Sequence, residues 1–178
     1  MMKLLAFAAS SSSKSINKQL ASYAASLVAG ATSEILDLND FEMPLFSEDK
    51  EREIGQPEQA KNFFAKLGQA DVIIISFAEH NGSYTAAYKN IFDWTSRIDQ
   101  KLFQNKPMVL LSTSPGPGGA ASVLAAAKGS APYFAGDVKA TVSIPSFYDN
   151  FDSDNKVLFN KELDQTLKAA LATISQLS

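Results

Sequence analysis

The sequence predicts a three-layer α/β fold built on a doubly wound, five-stranded parallel sheet of strand order 2-1-3-4-5. Three observations predict it. Residues 4–9, 72–77 and 108–112 are nearly continuous apolar runs, as expected of strands covered on both faces. Helical apolar stripes lie between them, and strands alternating with helices give a parallel sheet with right-handed crossovers. The 178 residues suit one domain of roughly 100–200 residues, so the chain is expected to fold as a single unit over residues 1–178, burying about 70% of its unfolded surface.

The elements follow in order. Leu4-Leu5-Ala6-Phe7-Ala8-Ala9 is shorter than the ~7–15 apolar residues of a secretory leader. Bounded by serines, it reads as a buried strand and the protein as cytoplasmic. Ile16, Leu20, Tyr23 and Leu27 form one helix face that ends near Gly30. Residues 33–38 are a weaker strand. Residues 39–55, with Met43-Pro44-Leu45-Phe46, make a loop well beyond the usual ~2–6 residues, either functional or an unstructured insertion. A helix over 57–68 starts at Pro57 and carries Phe63, Phe64 and Leu67.

After the strand 72–77, Tyr84, Ala87, Tyr88, Ile91, Phe92 and Thr95 make the clearest stripe. With Trp94 it reads as core and subunit interface. Lys106-Pro107 enters the strand 108–112, an alanine-rich helix covers 120–128, and the strand 138–144 stops at Pro145. Leu163, Leu167, Ala170 and Ile174 mark a closing helix over 158–177. Five strands and five helices in this order fit a flavodoxin-like sheet.

Composition narrows the function. Sixteen basic against nineteen acidic residues give a net charge of −3, which argues against nucleic acid, whose phosphates call for surplus Lys and Arg. The absence of cysteine removes disulfides, thiolate metal sites and cysteine nucleophiles. One histidine, His80, leaves no basis for a zinc site, and no metal is expected. No apolar run approaches the ~18–20 residues of a membrane span.

In a 2-1-3-4-5 sheet, ligands bind at the carboxyl ends of strands 1, 3 and 4, and those three loops are the most unusual segments of the chain. Ser10-Ser11-Ser12-Ser13-Lys14-Ser15-Ile16-Asn17 leads into a helix N-terminus, which favours an anion. The first carboxylate in the sequence is Glu34, whereas Lys3, Lys14 and Lys18 precede it. This loop suits a phosphate monoester; the plainer reading is a solvated turn with Ser15 as helix cap. Glu79-His80-Asn81-Gly82-Ser83 carries an Asn-Gly turn signal, with Ser83 placed to cap the next helix. In Ser114-Pro115-Gly116-Pro117-Gly118-Gly119, glycines permit close approach of backbone to a flat ligand. Gly116, Gly118 and Ala121 loosely match a dinucleotide fingerprint, but no acidic residue ends the following strand. An anion pocket beside a planar slot has the shape of a flavin mononucleotide.

On these segments the sequence resembles the NADPH-dependent FMN reductase family, a flavodoxin-like group of quinone, chromate and azo-dye reductases. The resemblance runs roughly from Lys3 to Ile144. The family pattern G-S-x-R-x-x-S-x-N is met by Ser10, Ser15 and Asn17, with Ala9 at its glycine and Ser12 at its arginine. Met43-Pro44-Leu45-Phe46 is similar to L-P-L-[YF]. Glu79, Asn81-Gly82-Ser83, Lys89-Asn90 and Asp93-Trp94 match a second motif in which His80 replaces tyrosine. Lys106-Pro107, Ser112-Thr113-Ser114-Pro115-Gly116 and Gly118-Gly119 match a third.

The resemblance implies an oxidoreductase using FMN, with NADPH or NADH as hydride donor and a quinone or similar small molecule as electron acceptor. It implies no catalytic side chain, since the flavin carries the chemistry. Ser10, Ser12, Ser15, Ile16 and Asn17 would hold the phosphate. Glu79, His80, Asn81 and Gly82 would line the ring, with Ser114, Gly116 and Gly119 on its other edge. Glu79 reads alternatively as a helix-terminus carboxylate, and His80 as a surface side chain. The family's dimers complete the pocket across subunits, so a homodimer or homotetramer is expected. The rival reading is a flavodoxin-like binding module without reductase activity, favoured by Ser12 and His80 in place of the family's arginine and tyrosine.

Overall fold

The computed structural model describes residues 1–175. In chain order these form β1 (Met2–Ala9), α1 (Ile16–Ser26), β2 (Ala31–Leu36), a 3₁₀ turn (Leu38–Phe41), α2 (Glu48–Ile54), α3 (Glu58–Gln69), β3 (Val72–Phe77) and α4 (Ala86–Ser96). There follow β4 (Pro107–Thr113), α5 (Ala121–Ser130), β5 (Asp137–Ile144), α6 (Phe147–Asn150), β6 (Phe151–Asp152), β7 (Val157–Leu158) and α7 (Lys161–Ser175). The sheet order is β2-β1-β3-β4-β5, all neighbours parallel, as the sequence predicts.

The apolar runs become central strands because each faces a core on both sides. In β3, Ile73, Ile75 and Phe77 pack into one core while Val72 and Ile74 pack into the other. The alternation of two apolar faces erases the alternation of polarity that marks a half-exposed strand. One core is closed by Phe63 and Leu67 of α3, Tyr88 and Ile91 of α4 and Val123 of α5. The other is closed by Leu20 and Ala24 of α1 and by Leu167, Leu171 and Ile174 of α7. Each of the Leu, Ile, Val and Phe side chains among these contributes ~1.5–3 kcal/mol by leaving water.

Four expectations need correction. The second strand lies two residues earlier than 33–38, because the Asp37 carboxylate accepts from Asn39 N–H at 3.0 Å and starts the 3₁₀ turn at Leu38. Residues 39–55 are not a structureless loop: α2 is capped by the Ser47 hydroxyl, 3.0 Å from Lys50 N–H, and ends at Gly55 with φ +70°. Because α2 buries no residue, its sequence carries no apolar stripe. The cap of α4 is Thr85 rather than Ser83, its hydroxyl accepting from Tyr88 N–H at 3.3 Å and donating to Ala9 O at 2.9 Å. The closing helix starts at Lys161, since Leu158 pairs with Phe151 in a small antiparallel ribbon of β6 and β7; Leu177 of that expectation lies outside the described residues. Among the described residues no helix is long and apolar enough to cross a membrane.

Candidate functional site

The carboxyl ends of β1, β3 and β4 sit side by side at the centre of the sheet, so the loops that follow them share one rim. They enclose a cleft of about 240 Å³. Of the residues singled out in the sequence, Ser10, Ser12, Ser15, Ile16 and Asn17 line it from the first loop, Glu79 and His80 from the second and Ser114 from the third. Asn81, Gly82, Gly116 and Gly119 do not line it. Lys14, the first-loop lysine already noted in the sequence, lines it too, whereas the sequence reading did not single out Ala78, Thr113, Pro115 and, from the segment after β5, Tyr148. Tyr148 was findable in principle: it follows the fifth strand closely, at the same rim.

The first loop is built to receive an anion. Ser15 caps α1, its hydroxyl accepting from Lys18 N–H at 3.1 Å, and Ser12 N–H reaches the Ser10 hydroxyl at 3.2 Å. The N–H groups of Ile16 and Asn17 have no partner among the described residues, the usual condition of a helix start. The first turn of α1 carries no acidic residue to answer the positive end of the helix dipole. Lys14, exposed at the mouth, forms no ion pair among the described residues. Lys18 is taken up by Asp37 at 2.6 Å, and that ammonium holds the Asp37 carboxyl down at about 2.

Asn17 and Glu79 of the cleft are spent on the protein itself. Asn17 is buried, with Nδ2 on Thr113 O at 3.1 Å and Oδ1 accepting from Thr113 N–H at 3.1 Å and from the Ser76 hydroxyl at 2.7 Å. Position 17 therefore has its backbone N–H, not its amide, to offer a ligand. The Glu79 carboxylate accepts from Val123 N–H at 2.8 Å, in the first turn of α5. This is the helix-terminus reading of that residue, and it turns the negative charge toward a helix that has no side-chain cap of its own.

The second and third loops are set by turn chemistry. His80 and Ser83 exchange both backbone hydrogen bonds, at 3.0 and 3.1 Å, around Asn81 and Gly82 with φ +53° and +76°. These angles are those of a type I′ turn, so Asn81 and Gly82 stand at the exposed tip beyond the cleft. In the third loop Gly119 is buried with φ +58°, and an added Cβ would meet the Ile144 carbonyl carbon and Pro145 nitrogen at 3.2 Å. Its carbonyl accepts from the Ser112 hydroxyl at 2.7 Å and the Ser143 hydroxyl at 2.9 Å. Gly119 is thus required for packing the loop on β5. Gly116 faces open space and anchors Ser146 N–H at 2.9 Å through its carbonyl.

Beyond the cleft, the Met43-Pro44-Leu45-Phe46 segment is fixed to α4. Asn90 donates to Met43 O at 3.2 Å and Pro44 O at 3.0 Å and accepts from Phe46 N–H at 2.8 Å. Trp94 adds Nε1–H to Pro44 O at 2.7 Å and an edge contact with Phe46. Leu45 is left 81% exposed between these anchors.

The donor set fits a phosphate-bearing planar cofactor: open backbone N–H groups, hydroxyls and a lysine at one end, with Ala78, His80, Pro115 and Tyr148 around the remainder. Comparison with known proteins agrees. The family described as NADPH-dependent FMN reductase matches residues 2–149. A 2-hydroxy-1,4-benzoquinone reductase from Burkholderia sp is 36% identical over 104 residues, 57% of this chain and 55% of that one. An NAD(P)H-dependent FMN reductase from Pseudomonas aeruginosa is 31% identical over 116 residues, 65% of this chain and 61% of that one. The match thus spans less than two thirds of either relative's length. The flavoenzyme NAD(P)H:(acceptor) oxidoreductase FerB from Paracoccus denitrificans superposes with a TM-score of 0.82 at 20% identity, over 99% of this chain and 96% of that one; at that identity the likeness is one of fold.

Proposed function

The chain belongs to the NADPH-dependent FMN reductase family, and from that premise we propose that it is an FMN-dependent oxidoreductase carrying two electrons from NADPH or NADH to a quinone or similar small acceptor. The observation that carries this reading is the convergence of the three strand-end loops on one cleft whose phosphate end is cationic and free of unengaged carboxylate. The chemistry that FMN supplies when bound is hydride exchange.

The residues of this chain bind and orient. Backbone N–H groups of Ile16 and Asn17, with the hydroxyls of Ser10 and Ser12, would hold the phosphate, and Lys14 would supply a point charge in place of the family's arginine, whose position is Ser12 here. Ser15 contributes as the cap that fixes those N–H groups. His80 and Ser114 flank the ring, and Asn81, Gly82 and Gly116 keep the two turns in place around it. Backbone N–H groups of these turns would favour negative charge on the ring. A cleft of about 240 Å³ is smaller than the ~300–1,000 Å³ pockets that enclose a ligand. This supports a homodimer or homotetramer in which a second subunit covers the outer face. The chain acts as one domain, in the cytoplasm.

The test is a titration of the protein with FMN, followed by oxidation of NADPH and NADH with benzoquinone as acceptor. Flavin binding with quinone-dependent nucleotide oxidation is the expected result. Binding without nucleotide oxidation would reduce the protein to a flavin-binding module, and absence of both would remove the flavin.

A further inference from the structure

Tyr148 comes to the cleft from outside its three loops, and its placement is fixed by its neighbours. Ser146 opens α6 in the left-handed region, at φ +44°. Its N–H donates to Gly116 O at 2.9 Å, and Phe147 N–H donates to Ser114 O at 3.0 Å, so α6 is tied to the third loop. Asn150 closes the turn, its Nδ2 donating to Pro145 O at 2.9 Å and Ser146 O at 3.2 Å. Phe147 is fully buried and stacks on Phe151 with ring centroids 4.7 Å apart. Tyr148 meets Phe147 edge-on at 5.5 Å. On this rigid support Tyr148 is 65% exposed, and its hydroxyl has no hydrogen-bond partner among the described residues, whereas those of Tyr23 and Tyr84 are engaged.

The two cores show which end of the cleft it reaches. Phe147 packs in the core shared by α1 and α7, and α4 and α5, which follow the second and third loops, pack in the other. Tyr148 therefore approaches from the α1 side. A short bonded path joins the two: Asn17 at the start of α1 holds Thr113, and the next residue, Ser114, holds Phe147. Lys14 is the single lysine or arginine among the described residues that line the cleft. A phosphate monoester brings close to two negative charges and three acceptor oxygens, which leaves room for a further neutral donor, and a tyrosine hydroxyl is one.

We propose that Tyr148 is a phosphate-binding residue of the flavin site, its hydroxyl donating to a phosphate oxygen from the β5 side while its ring shields that oxygen from water. The inference rests on the flavin reading above, which places the phosphate at the start of α1, and adds to it a contact from a fourth segment of the chain.

Titration of the apoprotein with FMN and with riboflavin, which lacks the phosphate, tests it. Tyr148→Phe keeps the ring on Phe147 and removes only the hydroxyl. It should weaken FMN about tenfold, the lower end of the range for a hydrogen bond to a charged group, and leave riboflavin unchanged; Tyr148→Ala should discriminate in the same way. The phosphorus NMR resonance of bound FMN should also move between wild type and Tyr148→Phe. A Tyr148→Phe variant that binds FMN as the wild type does, that weakens both flavins by one factor, or that leaves the phosphorus resonance in place would overturn the contact with flavin binding intact. A wild type that binds neither flavin would overturn the flavin reading itself.

Discussion

Asn17 holds both backbone groups of Thr113: its Nδ2 donates to the Thr113 carbonyl and its Oδ1 accepts from the Thr113 N–H, each at 3.1 Å. The same Oδ1 takes the Ser76 hydroxyl. One amide therefore ties the start of α1 to the ends of β3 and β4 and sets the spacing of the loops around the cleft.

Replacing Asn17 by alanine leaves the Ser76 hydroxyl and both Thr113 groups buried without partners. At ~1–3 kcal/mol for an unsatisfied buried polar group, and with non-additive losses, Asn17→Ala should cost about 2–4 kcal/mol in urea unfolding and weaken FMN as well. A loss near zero would mean that the three loops do not depend on this amide.

Ser12 is exposed and lines the cleft, so an arginine there has room to reach a phosphate. Ser12→Arg should tighten FMN by about one to two decades, the range of ~1.5–3 kcal/mol for a hydrogen bond to a charged group, and Ser12→Glu should weaken it. A titration without gain would place the phosphate elsewhere.

The Lys18–Asp37 pair predicts a pH dependence. Hydrogen bonding to Lys18 lowers the Asp37 pKa from 3.8 to about 2. A carboxyl depressed by folding adds stability above its unfolded value and loses it as pH falls through the folded one. Wild type should therefore exceed Asp37→Asn in stability at neutral pH, with the gap closing between about pH 4 and 2. Both side chains are more than a third exposed, so screening holds the gap to ~0.2–1 kcal/mol. Urea midpoints across that interval measure it.

Thr95 is fully buried in α4 and its hydroxyl has no partner among the described residues. Thr95→Val removes a desolvated polar atom at nearly constant shape and should stabilise by about 1 kcal/mol, a rise of roughly 2–4 °C in Tm for a chain of this size. A destabilised variant would show that the hydroxyl is satisfied in solution.

Much of this architecture is legible in sequence because its signals are local. Val72 to Phe77 reads as a strand from end to end since both faces are apolar, and Asn81-Gly82 reads as a turn because few residues tolerate that backbone. The commitments of Asn17 and Glu79 are not local. The partners of Asn17 lie 59 and 96 residues away, and that of Glu79 lies 44 away, so sequence shows two polar residues in a promising loop without showing that their side chains are occupied. The helix α2 and the ribbon of β6 and β7 escape for a different reason. One buries nothing and the other is two residues wide, so neither imposes a period. Gly116 and Gly119 of the third loop are alike in sequence, and only the closeness of β5 separates them.

The anchoring of residues 43–46 by Asn90 and Trp94, followed by a helix that contributes nothing to the core, makes residues 47–56 an exchangeable cassette. Downstream, the cassette is stitched back by links from Arg97 to Glu51 and from Gln56 to the Arg97 carbonyl. Its length and charge can change without disturbing the two cores beneath, so one wall of the molecule can vary while the rest stays unaltered.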